Sequence, residues 1–161
     1  MTLESDIDKL IKRQQPGRTL EQVFYRSPEI YQLEFRRVLS PQWLYVAHES
    51  ELPEVGDFVT YDIAEDSIIV VRGLDGEVRA FFNVCRNRGS QICQEKSGNT
   101  RRFVCPYHAW GYDLDGKLVS ARHMPSDFQY ADYGMHGCQI EVLEGLIFIT
   151  LASTGSAEFS Q

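Results

Sequence analysis

Long apolar runs are the first thing this 161-residue chain lacks. A bilayer-crossing helix needs about 20 consecutive apolar residues, so a membrane is not expected as a partner. The opening Met1-Thr2-Leu3-Glu4-Ser5-Asp6 has neither the basic start nor the apolar stretch of a secretory leader. Together these two absences point to the cytoplasm. Positive charge is also in short supply: 16 Lys and Arg face 23 Asp and Glu, for a net charge of −7. That balance argues against nucleic acid and anionic lipid as partners. There are only four cysteines, and in a reducing compartment thiols bind metal or are buried more often than they are cross-linked. Cys93 and Cys138 read as small apolar core residues.

The residues that remain are those of an ordinary globular domain. Hydrophobic residues make up 43% and charged residues 24%, and a chain of this size buries about 70% of its unfolded surface. Residues 1–42 read as a helical lead-in. Leu3, Ile7, Leu10 and Ile11 recur at helical spacing before Pro16-Gly17 interrupts them. A second helix starts at Ser27-Pro28, with Ser27 as the N-cap and Pro28 at the first helical position, and Ser40-Pro41 ends it. From Trp43 the period changes to two. Strands are expected at 43–47, 58–63, 67–72, 78–84, 102–104, 110–114, 139–143 and 146–151. Asp75-Gly76 and Asp115-Gly116 each lie between two of these runs and are hairpin signals. Residues 43–152 therefore form a mostly β domain of sandwich or partly open barrel type, and 153–161 reads as a tail or linker.

Within that domain, Cys85-Arg86-Asn87-Arg88-Gly89 and Cys105-Pro106-Tyr107-His108-Ala109-Trp110 fall in short loops between strands, with the two cysteines 20 residues apart. Thiolates and imidazoles are the donors that iron in a mixed-ligand [2Fe–2S] centre takes, two thiolates on one iron and two imidazoles on the other. The pattern for such a centre is Cys-x-His followed by Cys-x-x-His. Cys85, Cys105 and His108 fill three of its positions and Asn87 occupies the fourth. Arg86, Arg88, Lys96, Arg101 and Arg102, against Glu95 alone, give this region a cationic excess on an acidic chain. Such a patch could receive an acidic partner or balance an anionic cluster, and solvated surface arginines would look the same.

The stretch Asn83–Gly89, Cys105–Trp110 and Gly111-Tyr112-Asp113-Leu114-Asp115-Gly116-Lys117-Leu118 resembles the Rieske domain of Rieske non-haem iron oxygenase α-subunits. Ser27-Pro28-Glu29-Ile30-Tyr31, Trp43, His48 and Pro53-x-x-Gly56-Asp57 are similar to the lead-in of those subunits, so the resemblance covers nearly the whole chain. It implies a Rieske-type antiparallel β-sandwich with two cluster-binding loops and a helical N-terminal lead-in. It also implies a [2Fe–2S] cofactor held by Cys85, Cys105 and His108. The function implied is relay of electrons from a reductase or ferredoxin to a mononuclear iron in an oxygenase catalytic domain. Gly89 and Pro106 would shape the loops, and Tyr107 and Trp110 would shield the cluster or simply pack in the core.

The resemblance has two departures. His48, His123 and His136 give no spacing for a mononuclear iron site, so this chain is expected to lack the oxygen-activating centre and its catalytic domain. His123 and His136 read as surface or satisfied histidines. The second departure is Asn87, whose amide oxygen is a far weaker donor to iron than imidazole, so an impaired cluster is expected. Three accounts stay open: an altered Rieske domain, a cluster-free relative, or coordination completed by water, by Asn87 itself or by a displaced histidine. A zinc or mononuclear-metal site on Cys85, Cys105 and His108 and a metal-free binding domain of the same fold are the competing readings.

Overall fold

The computed structural model describes residues 3–152 and Phe159. The expected tail at 153–161 lies, apart from Phe159, outside the described residues. The described chain separates into two compact units that divide between Pro41 and Gln42.

The first unit is helical, with α1 (Leu3–Lys12), α2 (Val23–Arg26) and α3 (Pro28–Glu34). The start of α3 follows from its sequence. Ser27 is extended, its Oγ accepts the Ile30 N–H at 3.2 Å, and Pro28 lacks the N–H that a first helical position leaves unpaired. The expected helix does not run straight on to Ser40. After Glu34 it widens into a π-helical turn over Phe35–Leu39, closed by the Ser40 N–H donating to the Phe35 carbonyl at 2.7 Å. The single turn α2 was not anticipated.

The second unit is mostly β, with every strand pair antiparallel and short 3-10 turns at Glu49–Glu51 and Tyr130–Tyr133. Its strands are β1 (Leu44–His48), β2 (Asp57–Ile63), β3 (Asp66–Arg72), β4 (Val78–Phe82), β5 (Ser97–Asn99), β6 (Phe103–Val104), β7 (Gly111–Tyr112), β8 (Leu118–Ser120), β9 (Gln139–Leu143) and β10 (Leu146–Thr150). They pair as three sheets ordered β1-β10-β9, β4-β3-β2-β5 and β6-β7-β8. Strand β3 explains the layering. Ile68 and Val70 join Val46, Leu52, Ile147 and Ile149 in one core, whereas Ile69 and Val71 join Phe58, Phe103, Trp110 and Tyr112 in another. Alternate side chains of a strand point to opposite faces. A strand buried on both faces therefore reads as the continuous apolar run Ile68-Ile69-Val70-Val71. The middle sheet thus separates a β1-β10-β9 core from a core beneath the small β6-β7-β8 sheet.

Both expected hairpins form. Gly76 and Gly116 take φ values of +84° and +81° in the β3–β4 and β7–β8 turns, the left-handed conformation that these turns require. Two strands escaped the sequence reading. All of β5 is exposed and has no apolar alternation to betray it, and β8 is three residues long. The strand expected through Val84 stops at Phe82, and the one expected over 110–114 shrinks to Gly111–Tyr112. Asn83, Val84 and Trp110, lost from these strands, belong to the loops that carry the site, whereas Asp113 and Leu114 pass into the β7–β8 hairpin.

Candidate metal centre

The two loops share one backbone design. In the first, the Cys85 N–H donates to the Ser90 carbonyl at 2.8 Å and the Gly89 N–H donates to the Cys85 carbonyl at 2.9 Å. In the second, the Cys105 N–H donates to the Trp110 carbonyl at 2.8 Å and the Ala109 N–H donates to the Cys105 carbonyl at 3.0 Å. Each loop turns through a left-handed residue four places after its cysteine, Gly89 at φ +72° and Ala109 at φ +57°. Glycine adopts this conformation without steric cost, whereas alanine does so under strain. Each finger thus anchors its cysteine at the base and carries its outer donor at the tip.

At the bases, Cys85 and Cys105 are 3% and 1% exposed and lie in the same core. Burial pushes the Cys85 thiol up, and the neighbouring Cys105 sulfur acts in the same direction. A bound cation would reverse that preference, because a thiol binds metal as its thiolate. Tyr112 Oη lies 3.3 Å from Cys85 Sγ and accepts the Arg86 N–H at 3.1 Å. Burial also pushes the Tyr112 hydroxyl well above its ordinary range, so it keeps a proton to offer to the sulfur. At the tips, Asn87 Nδ2 and His108 Nδ1 lie 3.3 Å apart, so these two outer residues face one another. His108 is exposed and packs against Tyr107 with the rings tilted and their centroids 4.0 Å apart.

The base of the first finger rests on Asn83, which is 1% exposed. Its Oδ1 accepts the Ile92 and Cys93 N–H groups at 3.1 and 2.8 Å, and its Nδ2 donates to the Cys93 carbonyl at 2.7 Å and Ser67 Oγ at 3.2 Å. Arg86 ties the same finger to a distant segment by donating to the Gly134 carbonyl at 3.0 Å. Asn83 and Tyr112 were visible in the sequence only as neighbours of the motif. Nothing in their spacing reveals that one closes a loop and the other reaches a sulfur 27 positions away. Cys93 is buried, as expected. Cys138 is only partly so.

Among the described residues no three His, Cys, Asp or Glu side chains gather closely enough to hold one ion. Cys85, Cys105 and His108 therefore do not form the single-ion zinc site weighed above. A two-iron group makes a different demand, with thiolates at one iron and imidazoles at the other. The buried thiol pair and His108 on opposite sides of the site fit three positions of such a group. The amide of Asn87 does not fit the fourth. Trp110 Nε1 adds a further indication. It is buried without an acceptor, in the core that contains both cysteines, and inorganic sulfide is an acceptor the chain itself cannot supply.

Comparison with known proteins agrees with this geometry. The sequence profile of the Rieske [2Fe–2S] domain matches residues 42–142. The chain is 38% identical over 144 residues to the glycine betaine monooxygenase oxygenase subunit of Chromohalobacter salexigens, covering 89% of this chain and 32% of that protein. It is 38% identical over 148 residues to the biphenyl 2,3-dioxygenase subunit alpha of Rhodococcus jostii, covering 90% of this chain and 32% of that one. Among solved structures, naphthalene 1,2-dioxygenase from Rhodococcus sp. aligns with a TM-score of 0.82 at 34% identity, over 97% of this chain and 37% of the other. The apo form of a quaternary ammonium Rieske monooxygenase aligns with a TM-score of 0.79 at 33% identity, over 86% of this chain and 41% of that one. The chain spans about a third of the length of the curated relatives it matches.

Proposed function

This chain belongs to the Rieske [2Fe–2S] domain family, homologous to the α-subunits of Rieske oxygenases, and from that premise we propose that it is a one-electron relay. Its donor would be a reductase or ferredoxin, and its acceptor the mononuclear iron of an oxygenase catalytic domain. The observation that carries this reading is the pair of matched loops, with Cys85 and Cys105 buried side by side at their bases and His108 turned toward the facing position at their tips. When bound, a [2Fe–2S] cluster takes up and returns one electron.

The protein's own groups have definable tasks in that role. Cys85 and Cys105 would hold the inner iron, and their burial keeps water from the thiolates. His108 would hold the outer iron, and its exposure places an imidazole at the surface where a partner can dock. Tyr112 would donate a hydrogen bond to the Cys85 thiolate, which would favour the state with more negative charge on sulfur and raise the potential. Arg88, on a cavity wall beside Asn87 and His108, would act in the same sense through space.

Asn87 weakens the outer position. An amide is a harder and poorer donor than imidazole, so the outer iron would be held less firmly and the potential set by His/His ligation would not be reached. The same residue keeps a second reading open, a metal-free binding domain of this fold, because an amide is so poor a donor to iron. Iron and acid-labile sulfide analysis of freshly purified and anaerobically reconstituted protein decides between the two. About two of each per chain, with a Rieske-type EPR signal on reduction, is the expected outcome, and Asn87→His should raise occupancy further. A colourless, sulfide-free protein in both forms, with a melting temperature unmoved by chelator, would leave the metal-free reading standing.

A further inference from the structure

The β unit uses most of its cations internally. Arg72, Arg79 and Lys117 face the carboxylates of Glu49, Asp75 and Asp115. Around the two loops, Lys96 pairs with Asp62, Arg102 pairs with Asp113, and Arg86 donates to the Gly134 carbonyl at 3.0 Å. Arg88, Arg101 and Arg122 are exposed and have no carboxylate partner among the described residues. Scattered over a surface, such arginines would mean nothing. Two of the three, Arg88 and Arg122, line one cavity, on a chain whose net charge is −7.

That cavity has a volume of about 520 Å³ and no carboxylate on its wall. Small-molecule sites span about 300–1,000 Å³. Neither cysteine lines it, whereas Asn87, Tyr107, His108 and Met124 do. The Tyr107 side of the wall is 60% exposed and offers a flat apolar surface. The segment that carries Arg122 is held in place. Met124 and Phe128 pack against the core, and Tyr130 Oη donates to the Ala121 carbonyl at 3.2 Å. Arg88 sits in the fingertip turn that the Gly89 N–H closes. The wall is therefore preformed, and a ligand need not reorganise it. Two guanidiniums on one wall without a counter-charge repel each other, and an anion in the cavity replaces that repulsion with two attractions.

We propose that the cavity walled by Arg88, Arg122 and Tyr107 binds a small organic oxyanion, a carboxylate or phosphate carried on a planar apolar body. The planar forks of Arg88 and Arg122 match the oxygens of either acid group. Tyr107 and Met124 give the apolar body a surface to rest on. The volume selects a whole small molecule rather than a bare ion. This inference goes beyond the electron-relay reading and does not depend on it, because neither cysteine lines the cavity and guanidiniums hold an oxyanion without any metal.

The test is calorimetric titration of freshly purified protein, in phosphate-free buffer at about 0.1 M salt, with phenyl phosphate and, separately, phenylacetate. Saturable binding of at least one is expected, with benzyl alcohol and inorganic phosphate each about tenfold weaker or more. Arg88→Ala and Arg122→Ala should each weaken the tighter probe by about tenfold, and Tyr107→Ala by about threefold. Arg101→Ala removes a third exposed, unpaired arginine that does not line the cavity, so it should change affinity by less than about twofold. All four substituted side chains are exposed, and thermal melts should show the variants folded like the parent. The proposal is overturned if neither probe binds, if benzyl alcohol or inorganic phosphate binds as tightly as the probes, or if Arg101→Ala weakens binding as much as Arg122→Ala. A hexaglutamate peptide that binds through Arg88 and Arg122 where both probes fail would also overturn it, and would assign the wall to an acidic protein surface. Iron and sulfide content enters none of these readouts, so failure here leaves the electron-relay reading standing, and the reverse holds as well.

Discussion

Tyr112 Oη accepts the Arg86 N–H at 3.1 Å and lies 3.3 Å from Cys85 Sγ. When Cys85 binds metal as a thiolate it has no proton to give, so the Tyr112 proton is then the one directed at the sulfur. Tyr112→Phe removes that proton and changes almost nothing else in shape. One hydrogen bond to a charged sulfur is worth about 1.5–3 kcal/mol, and only the part that differs between redox states reaches the potential. Protein-film voltammetry of the reconstituted variant should therefore show a fall on the order of tens of millivolts, with little loss of iron. An unchanged potential would mean that the Tyr112 hydroxyl does not donate to a ligating sulfur at Cys85.

Asn83 is the buried clamp of the first finger, with all four of its hydrogen bonds made inside the protein. Asn83→Ala strands the Ile92 and Cys93 N–H groups and the Cys93 carbonyl away from water. The expected cost is about 2–4 kcal/mol, read as a lower urea midpoint. Proteolysis should become faster within 84–93, while the segments remote from that loop are spared.

The two left-handed loop residues predict opposite signs. At Gly89 a Cβ would meet nothing within 4 Å, so Gly89→Ala costs only conformational strain, about 1 kcal/mol. At Ala109, already at φ +57°, Ala109→Gly relieves the same strain and should gain up to about 1 kcal/mol, less the entropy glycine adds to the unfolded chain. Thermal melts of the two variants, run side by side, check the pair. A shift in the same direction in both would contradict the matched-loop geometry.

Alkali should destabilise this protein through buried protons. Burial pushes the Cys138 thiol up to about 12, and burial likewise raises Cys93 and Tyr112. Well below about pH 9 these groups are neutral in both folded and unfolded chains and have no pH-dependent effect. Above that, the unfolded chain releases protons that the folded one retains, so stability falls as pH rises from about 9 toward 12. Denaturant melts at pH 7.5, 9 and 10.5 should show a declining midpoint, and Cys138→Ala should flatten part of the decline.

Much of this molecule could be read from local signals. Ser27-Pro28 started α3, Asp75-Gly76 and Asp115-Gly116 made their hairpins, and the apolar run in β3 marked a strand buried on both faces. The cysteines of both loops were identifiable because ligand spacing is a property of a few consecutive residues. Strand β5, exposed along its whole length, left no such mark. The π-helical turn after α3 left none either.

What the sequence determined by itself was the inventory: which donors exist, which are spaced for metal, and that an amide stands at position 87. Which donors meet was decided only by tertiary structure. Tyr112 reaches Cys85, Asn83 closes the loop through Cys93, and His123 comes to the cavity beside Asn87 and His108 because separate strands and loops converge there. Turns and caps are settled by neighbouring dihedral angles and hydrogen bonds within a few residues. Contacts across ten to nearly forty positions depend instead on how sheets pack and registers align, a choice that burial of the whole core makes and no short motif encodes.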